Sequence, residues 1–127
     1  MLEALYLQCD EKRLSQVNYR FLKAICTILD IKTKLSWSMD YKLVEGKTDR
    51  LLQLCKQAKA TEYISGPSAK NYLEEVLFKK EGIQVSYMDY SGYEEYSQLF
   101  GPFIHEVSIL DLVLNEGPYA KKYMLSF

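Results

Sequence analysis

Two short stretches carry the residue types that bind anions. The first is Tyr63-Ile-Ser-Gly-Pro-Ser-Ala-Lys-Asn-Tyr72, in which a strand ends, a tight turn follows and a helix opens. An anion needs several convergent donors, and a glycine lets the backbone come close to it. Ser65 and Ser68 offer hydroxyls, Gly66 the close approach, Lys70 an ammonium, and Ala69, Lys70 and Asn71 backbone amides at a helix start. The same spacing also serves a plain strand-to-helix turn with Ser68 as N-cap. It matches neither the P-loop spacing nor G-x-G-x-x-G. The second stretch is Gly46-Lys-Thr-Asp-Arg50, where Lys47, Thr48 and Arg50 add charge and donors. Its plain alternative is a capped helix with Asp49 at the positive end of the dipole.

Candidates for proton chemistry are fewer. His105 is the only histidine, and Glu106 or Asp111 would have to orient it. Asp111 lies within an apolar helix, either as a carboxylate satisfied by backbone amides or as a functional acid. No Ser-His-Asp order, Cys-His pair or carboxylate dyad is present, so His105 and Asp111 are the weak catalytic candidates. Tyr87, Tyr90, Tyr93 and Tyr96, followed by Phe100 and Phe103, can stack on a ligand or pin a long loop to the body.

These residues need a scaffold, and hydrophobic spacing supplies one. Leu14, Val17, Phe21, Ile25 and Ile28 form one face of a helix, widened by Leu22 and Leu29. Leu35, Trp37 and Met39 alternate with polar residues and predict a strand. Thr48-Asp49 starts a helix carrying Leu51, Leu54, Cys55 and Ala58. Residues 62–65 read as a second strand. Ser68 then caps a third helix bearing Tyr72, Leu73, Val76 and Leu77, which Gly82 stops. Ile83, Val85 and Tyr87 mark a third strand. After an irregular stretch from Tyr90 to Phe103, Ser108 caps a helix from Ile109 to Asn115 whose apolar circumference predicts burial.

Strands separated by helices imply a parallel sheet. The expectation is one α/β domain over residues 1–127, with three layers, about three mostly parallel strands flanked by helices, and the size of half a doubly wound unit. Parallel strands covered on both faces usually run continuously apolar. Here the first and third alternate, so one sheet face is wet or another body covers it.

Composition narrows the partners. The 127 residues carry 16 Lys+Arg against 17 Asp+Glu, a formal charge of −1 that gives no global attraction to nucleic acid or anionic membranes. No apolar run reaches the roughly 20 residues that span a bilayer. The N-terminus lacks the basic and apolar regions of a signal peptide. Cys9, Cys26 and Cys55 are odd in number and dispersed, which points to reduced thiols in a cytoplasmic protein. His105 has no clustered ligands around it, so no metal is expected.

Gly46-Lys-Thr-Asp-Arg-Leu-Leu, Ala60-Thr-Glu-Tyr-Ile-Ser-Gly-Pro-Ser-Ala-Lys-Asn-Tyr-Leu73, Gly82-Ile-Gln-Val, Phe103 and Ser108-Ile-Leu-Asp-Leu-Val-Leu-Asn-Glu-Gly-Pro118 together resemble the C-terminal half of WbqC-like proteins. The resemblance implies cytoplasmic bacterial proteins associated with O-antigen and other surface polysaccharides. It further implies a transferase acting on a phosphate-containing or nucleotide-sugar substrate, with no cofactor specified. Lys47, Asp49, Arg50, Ser65, Gly66, Ser68, Lys70, Asn71, Ser108 and Asp111 are the positions it carries over. The family's early Gln-Pro-Tyr…Pro…Gly-Tyr segment has no counterpart, and Met1 falls near the family's middle. The expected partners are therefore the ligand and either a missing N-terminal half or a second copy. The rival readings are an interaction or oligomerisation module and an inactive fragment.

Overall fold

A computed structural model describes residues 2–125. The elements are α1 (Leu2–Leu7), α2 (Leu14–Ile28), α3 (Lys47–Gln57), β1 (Glu62–Ser65), α4 (Glu75–Lys80), β2 (Gln84–Tyr87) and α5 (Ile109–Glu116). Three 3-10 turns, Ser38–Asp40, Pro67–Asn71 and Gly117–Tyr123, complete them. β1 and β2 pair in parallel, with Tyr63 beside Val85 and Ser65 beside Tyr87. The architecture is α/β, a small open parallel sheet flanked by helices.

The chain divides into two compact units, Met1–Leu35 with Gly92–Phe127, and Ser36–Ser91. In the first, Leu29, Leu112, Val113 and Ala120 form the buried core, and Ile25, Ile28 and Ile109 pack on it. α2 therefore buries the C-terminal part of its apolar stripe, whereas Leu14 and Leu22 are exposed. The helix ends at Asp30, which takes φ 55° while the Ile31 amide donates back to Cys26 O at 2.7 Å. That is a left-handed helix stop, tolerable for an aspartate. Ser108 caps α5 as expected, its Oγ accepting from the Leu110 amide at 3.3 Å. α5 is not buried all round, because Leu114 is 71 % exposed.

In the second unit Cys55, Leu73, Phe78 and Ile83 form the core, against which Leu51, Tyr63, Val85 and Tyr87 pack. The rings of Tyr63 and Phe78 stack at 5.4 Å. One sheet face is thus covered by α3 and α4. The other carries Glu62, Ile64, Gln84 and Ser86; Ile64 is 57 % exposed, and Ser86 Oγ donates to the Glu62 carboxylate.

Two expected elements differ. Residues 35–39 do not join the sheet, which among the described residues has two strands rather than three. Trp37 is extended, but its amide donates to Asp40 Oδ2 at 3.1 Å and the Tyr41 amide to Ser38 O at 3.2 Å. A local carboxylate has taken the donor that a ladder would use. The long third helix is likewise split. Pro67–Asn71 is a 3-10 turn, Tyr72 leaves helical geometry at φ −142°, and α4 begins only at Glu75. Gly66, not Ser68, holds the N-cap position, with no side-chain cap. Gly82 does stop α4 as expected, at φ 72° with the Ile83 amide donating to Phe78 O.

Candidate anion-binding cleft

The second unit holds an open cleft of about 570 Å³ lined by Gly46, Lys47, Arg50, Leu51 and Tyr72. Its geometry starts at Gly46, whose φ of 93° belongs to the left-handed half of the map. The Asp49 carboxylate folds back over this glycine, so close that a Cβ there would lie 2.7 Å from Asp49 Oδ2. The start of α3 therefore already faces a carboxylate, which complements the helix dipole. A bound anion must be held by side chains instead.

Those side chains are placed by the same helix. Lys47 and Arg50 are three residues apart and share one side of α3. Arg50 Nε donates to Val44 O at 3.1 Å, which fixes the plane of the guanidinium. Lys47 Nζ stands 5.8 Å from the centre of the Tyr72 ring, and that ring is 50 % exposed. Thr48, between them, is buried; its Oγ1 accepts from the Glu74 amide at 3.5 Å and ties the start of α3 to the segment that carries Tyr72.

The Ser65–Asn71 turn is built differently from the expected helix start. Ser65 O accepts the Met88 amide at 2.8 Å at the end of the ladder. The Ala69 amide donates to Gly66 O at 3.1 Å and the Ala69 side chain is buried, so this amide is not open to a ligand. Ser68, Lys70 and Asn71 are exposed. Lys70 Nζ lies 4.9 Å from the Tyr87 ring centre. The Tyr87 hydroxyl donates to Glu75 Oε1 at 2.7 Å, and that bond, with some desolvation, pushes its pKa up to about 12. The fold thus brings Lys47 and Arg50 into one cleft with Tyr72, while Lys70 rests on Tyr87 at the carboxyl end of β2.

Asp111 and His105 belong to the first unit. Asp111 Oδ2 accepts from the Tyr96 hydroxyl at 2.7 Å and Gln98 Nε2 at 3.0 Å, and Oδ1 from Asn115 Nδ2 at 3.2 Å. Gln98 also exchanges bonds with the Ile104 amide and carbonyl. The carboxylate is the anchor of the loop from Tyr90 to Phe103, and the Tyr96 ring packs on Phe103 and Tyr123. Burial, then the bond to Asp111, raises the Tyr96 pKa. His105 is exposed, its ring edge-on to Phe103 at 4.7 Å. Among the described residues no group of three or more His, Cys, Asp or Glu is placed to hold a metal ion.

Tyr72 is the cleft residue that sequence reasoning assigned elsewhere, to the apolar face of a helix. No local signal would have found it, because Pro67 at the first position of the turn suits a continuing helix equally well, and the break falls only at Tyr72. The Tyr87–Glu75 pair carried no signal, since twelve residues and an element boundary separate the two.

The chain belongs to the WbqC-like protein family, whose model matches residues 1–123. It is 50 % identical over 123 residues to an uncharacterized protein, Rv1507c, of Mycobacterium tuberculosis (strain ATCC 25618 / H37Rv), covering 97 % of this chain. The chain spans about half of that curated relative's length, 53 %. No solved structure matches. Among the described residues no helix is long and apolar enough to cross a membrane.

Proposed function

We propose that the cleft of the second unit binds a phosphate-containing, nucleotide-linked substrate, and that the protein serves a sugar-transfer step of bacterial surface-polysaccharide synthesis in the cytoplasm. The observation that carries this reading is the grouping of Lys47 and Arg50 beside the exposed face of Tyr72. Two cations at one helix end neutralise a diphosphate better than either alone, and an orientated guanidinium adds directed donors. An exposed aromatic face offers a stacking surface for a sugar or base. Ser65, Gly66, Ser68, Lys70 and Asn71 extend the site along the adjoining turn, with Lys70 as its further cation. Membership of the WbqC-like family supports the substrate class.

Calorimetric titration with UDP-glucose and with inorganic pyrophosphate tests this. Wild type is expected to bind both, and Lys47→Ala/Arg50→Ala to weaken both by about tenfold or more. Tyr72→Ala should weaken UDP-glucose alone, and Lys70→Ala should weaken both to a smaller degree. Equal binding by wild type and the double variant, or no binding of either probe, overturns the reading.

A further inference from the structure

We propose that Asp89 is a specificity-determining residue of the same site, accepting the two hydroxyls of a vicinal diol on the phosphate-linked sugar of the substrate. This rests on the phosphate-binding reading given above and extends it from the phosphate to the sugar.

β1 and β2 are parallel neighbours joined through residues 66–83, so their carboxyl ends open on one edge of the sheet. Open α/β sheets bind ligands beyond that edge. The turn after β1 brings Gly66 and Lys70 there, and the end of β2 brings Tyr87, Asp89 and Tyr90. Two contacts join the strand ends. Lys70 Nζ lies 4.9 Å from the centre of the Tyr87 ring. The Tyr90 hydroxyl stands 3.8 Å from the position a Gly66 Cβ would take, so it reaches across to the turn.

Asp89 is exposed, and its Oδ1 accepts the Ser91 amide at 2.9 Å, an Asx turn that fixes the carboxylate. Hydrogen bonds from Ser91, and then the charge of Lys70, hold its carboxyl below the usual value, so it is ionised at neutral pH. Lys70 and Asp89 thus attract one another, yet among the described residues they form no direct ion pair. Each is held by its own anchor, the Tyr87 ring and the Ser91 amide.

A carboxylate beside a phosphate site repels the anion, so its use there must be to something that donates. An ionised carboxylate accepts through both oxygens and donates nothing, and its bonds from O–H groups are short and strong. Two adjacent sugar hydroxyls match it. The separation from Gly66 to Asp89 is close to the about 20 residues at which dinucleotide-binding βαβ units carry the acid that holds the ribose. Tyr72 links this edge to the cleft of Lys47 and Arg50. After the Glu75 bond and desolvation, its phenol also raises the Tyr87 pKa, which puts the two tyrosines near one another. The ribose of a nucleotide and the hexose joined to it both offer a vicinal diol.

Calorimetric titration of the whole chain with pyrophosphate, UDP, 2′-deoxy-UDP and UDP-glucose tests the assignment. Asp89→Asn keeps an acceptor for the Ser91 amide, and its circular dichroism spectrum should be unchanged. The variant is expected to bind pyrophosphate as well as wild type or tighter, because a repulsion is gone, and to bind UDP-glucose about tenfold more weakly. If the diol is the ribose's, wild type binds 2′-deoxy-UDP about tenfold more weakly than UDP, and Asp89→Asn does not distinguish them. If it is the hexose's, Asp89→Asn binds UDP as wild type does and loses affinity for UDP-glucose alone. Unchanged binding of UDP-glucose, or a loss shared equally with pyrophosphate, overturns the role of Asp89 and leaves the phosphate reading standing. Wild type that binds none of the four overturns both.

Discussion

Gly46 illustrates how one residue without a side chain sets the position of two charges. Its φ of 93° and the Asp49 carboxylate packed over it leave no room for a Cβ. Gly46→Ala is expected to lower stability by about 1–3 kcal/mol, read as a lower thermal midpoint, and to loosen the placement of Lys47 and Arg50. Tyr87 gives a second residue-scale test. Its pKa, raised to about 12 by the bond to Glu75, exceeds the ordinary tyrosine value of 10.0. Folding favours the neutral phenol, so its contribution is full below pH 10 and is lost as pH rises towards 12. Ultraviolet titration should show one phenol ionising at about pH 12, absent in Tyr87→Phe.

At the scale of elements, the second unit depends on α4 and β2 closing over Phe78. That ring is fully buried and stacks on Tyr63. Phe78→Ala is expected to destabilise by about 3–5 kcal/mol in urea or thermal unfolding, through lost transfer energy and the cavity left behind. Several elements were readable from local chemistry. α3, the stop at Gly82 and the Ser108 cap each follow from residues adjacent in sequence. The strand at 35–39 and the continuous helix after Ser68 were not. Alternation at Leu35, Trp37 and Met39 suits a strand, yet Asp40 captures the Trp37 amide first. Leu73 and Val76 keep helical spacing across a break at Tyr72 that the tie from Glu74 to Thr48 stabilises.

For the whole molecule, exposed area is the quantity that matters. The chain shows 9828 Å² to solvent, and large apolar side chains such as Leu7, Leu99 and Phe100 stand mostly exposed. Less surface is then left to uncover on unfolding. The urea m-value is expected to fall below that of compact proteins of 127 residues, and unfolding curves at two protein concentrations check it. The alternation of Ile83, Val85 and Tyr87 with Gln84 and Ser86 already indicated a sheet face that is either wet or covered by another body. That face carries Ile64 and the Ser86–Glu62 bond.

By itself the sequence determined the α/β class, the family and the cationic residues near two turns, because turn chemistry and hydrophobic period act between neighbours in the chain. Only the tertiary structure decided that Lys47 and Arg50 share a cleft with Tyr72, and that the Ala69 amide is spent on Gly66. It also decided that Asp111 serves as the anchor of a loop. Those outcomes depend on which donor reaches which acceptor across many residues, a competition settled by packing rather than by spacing.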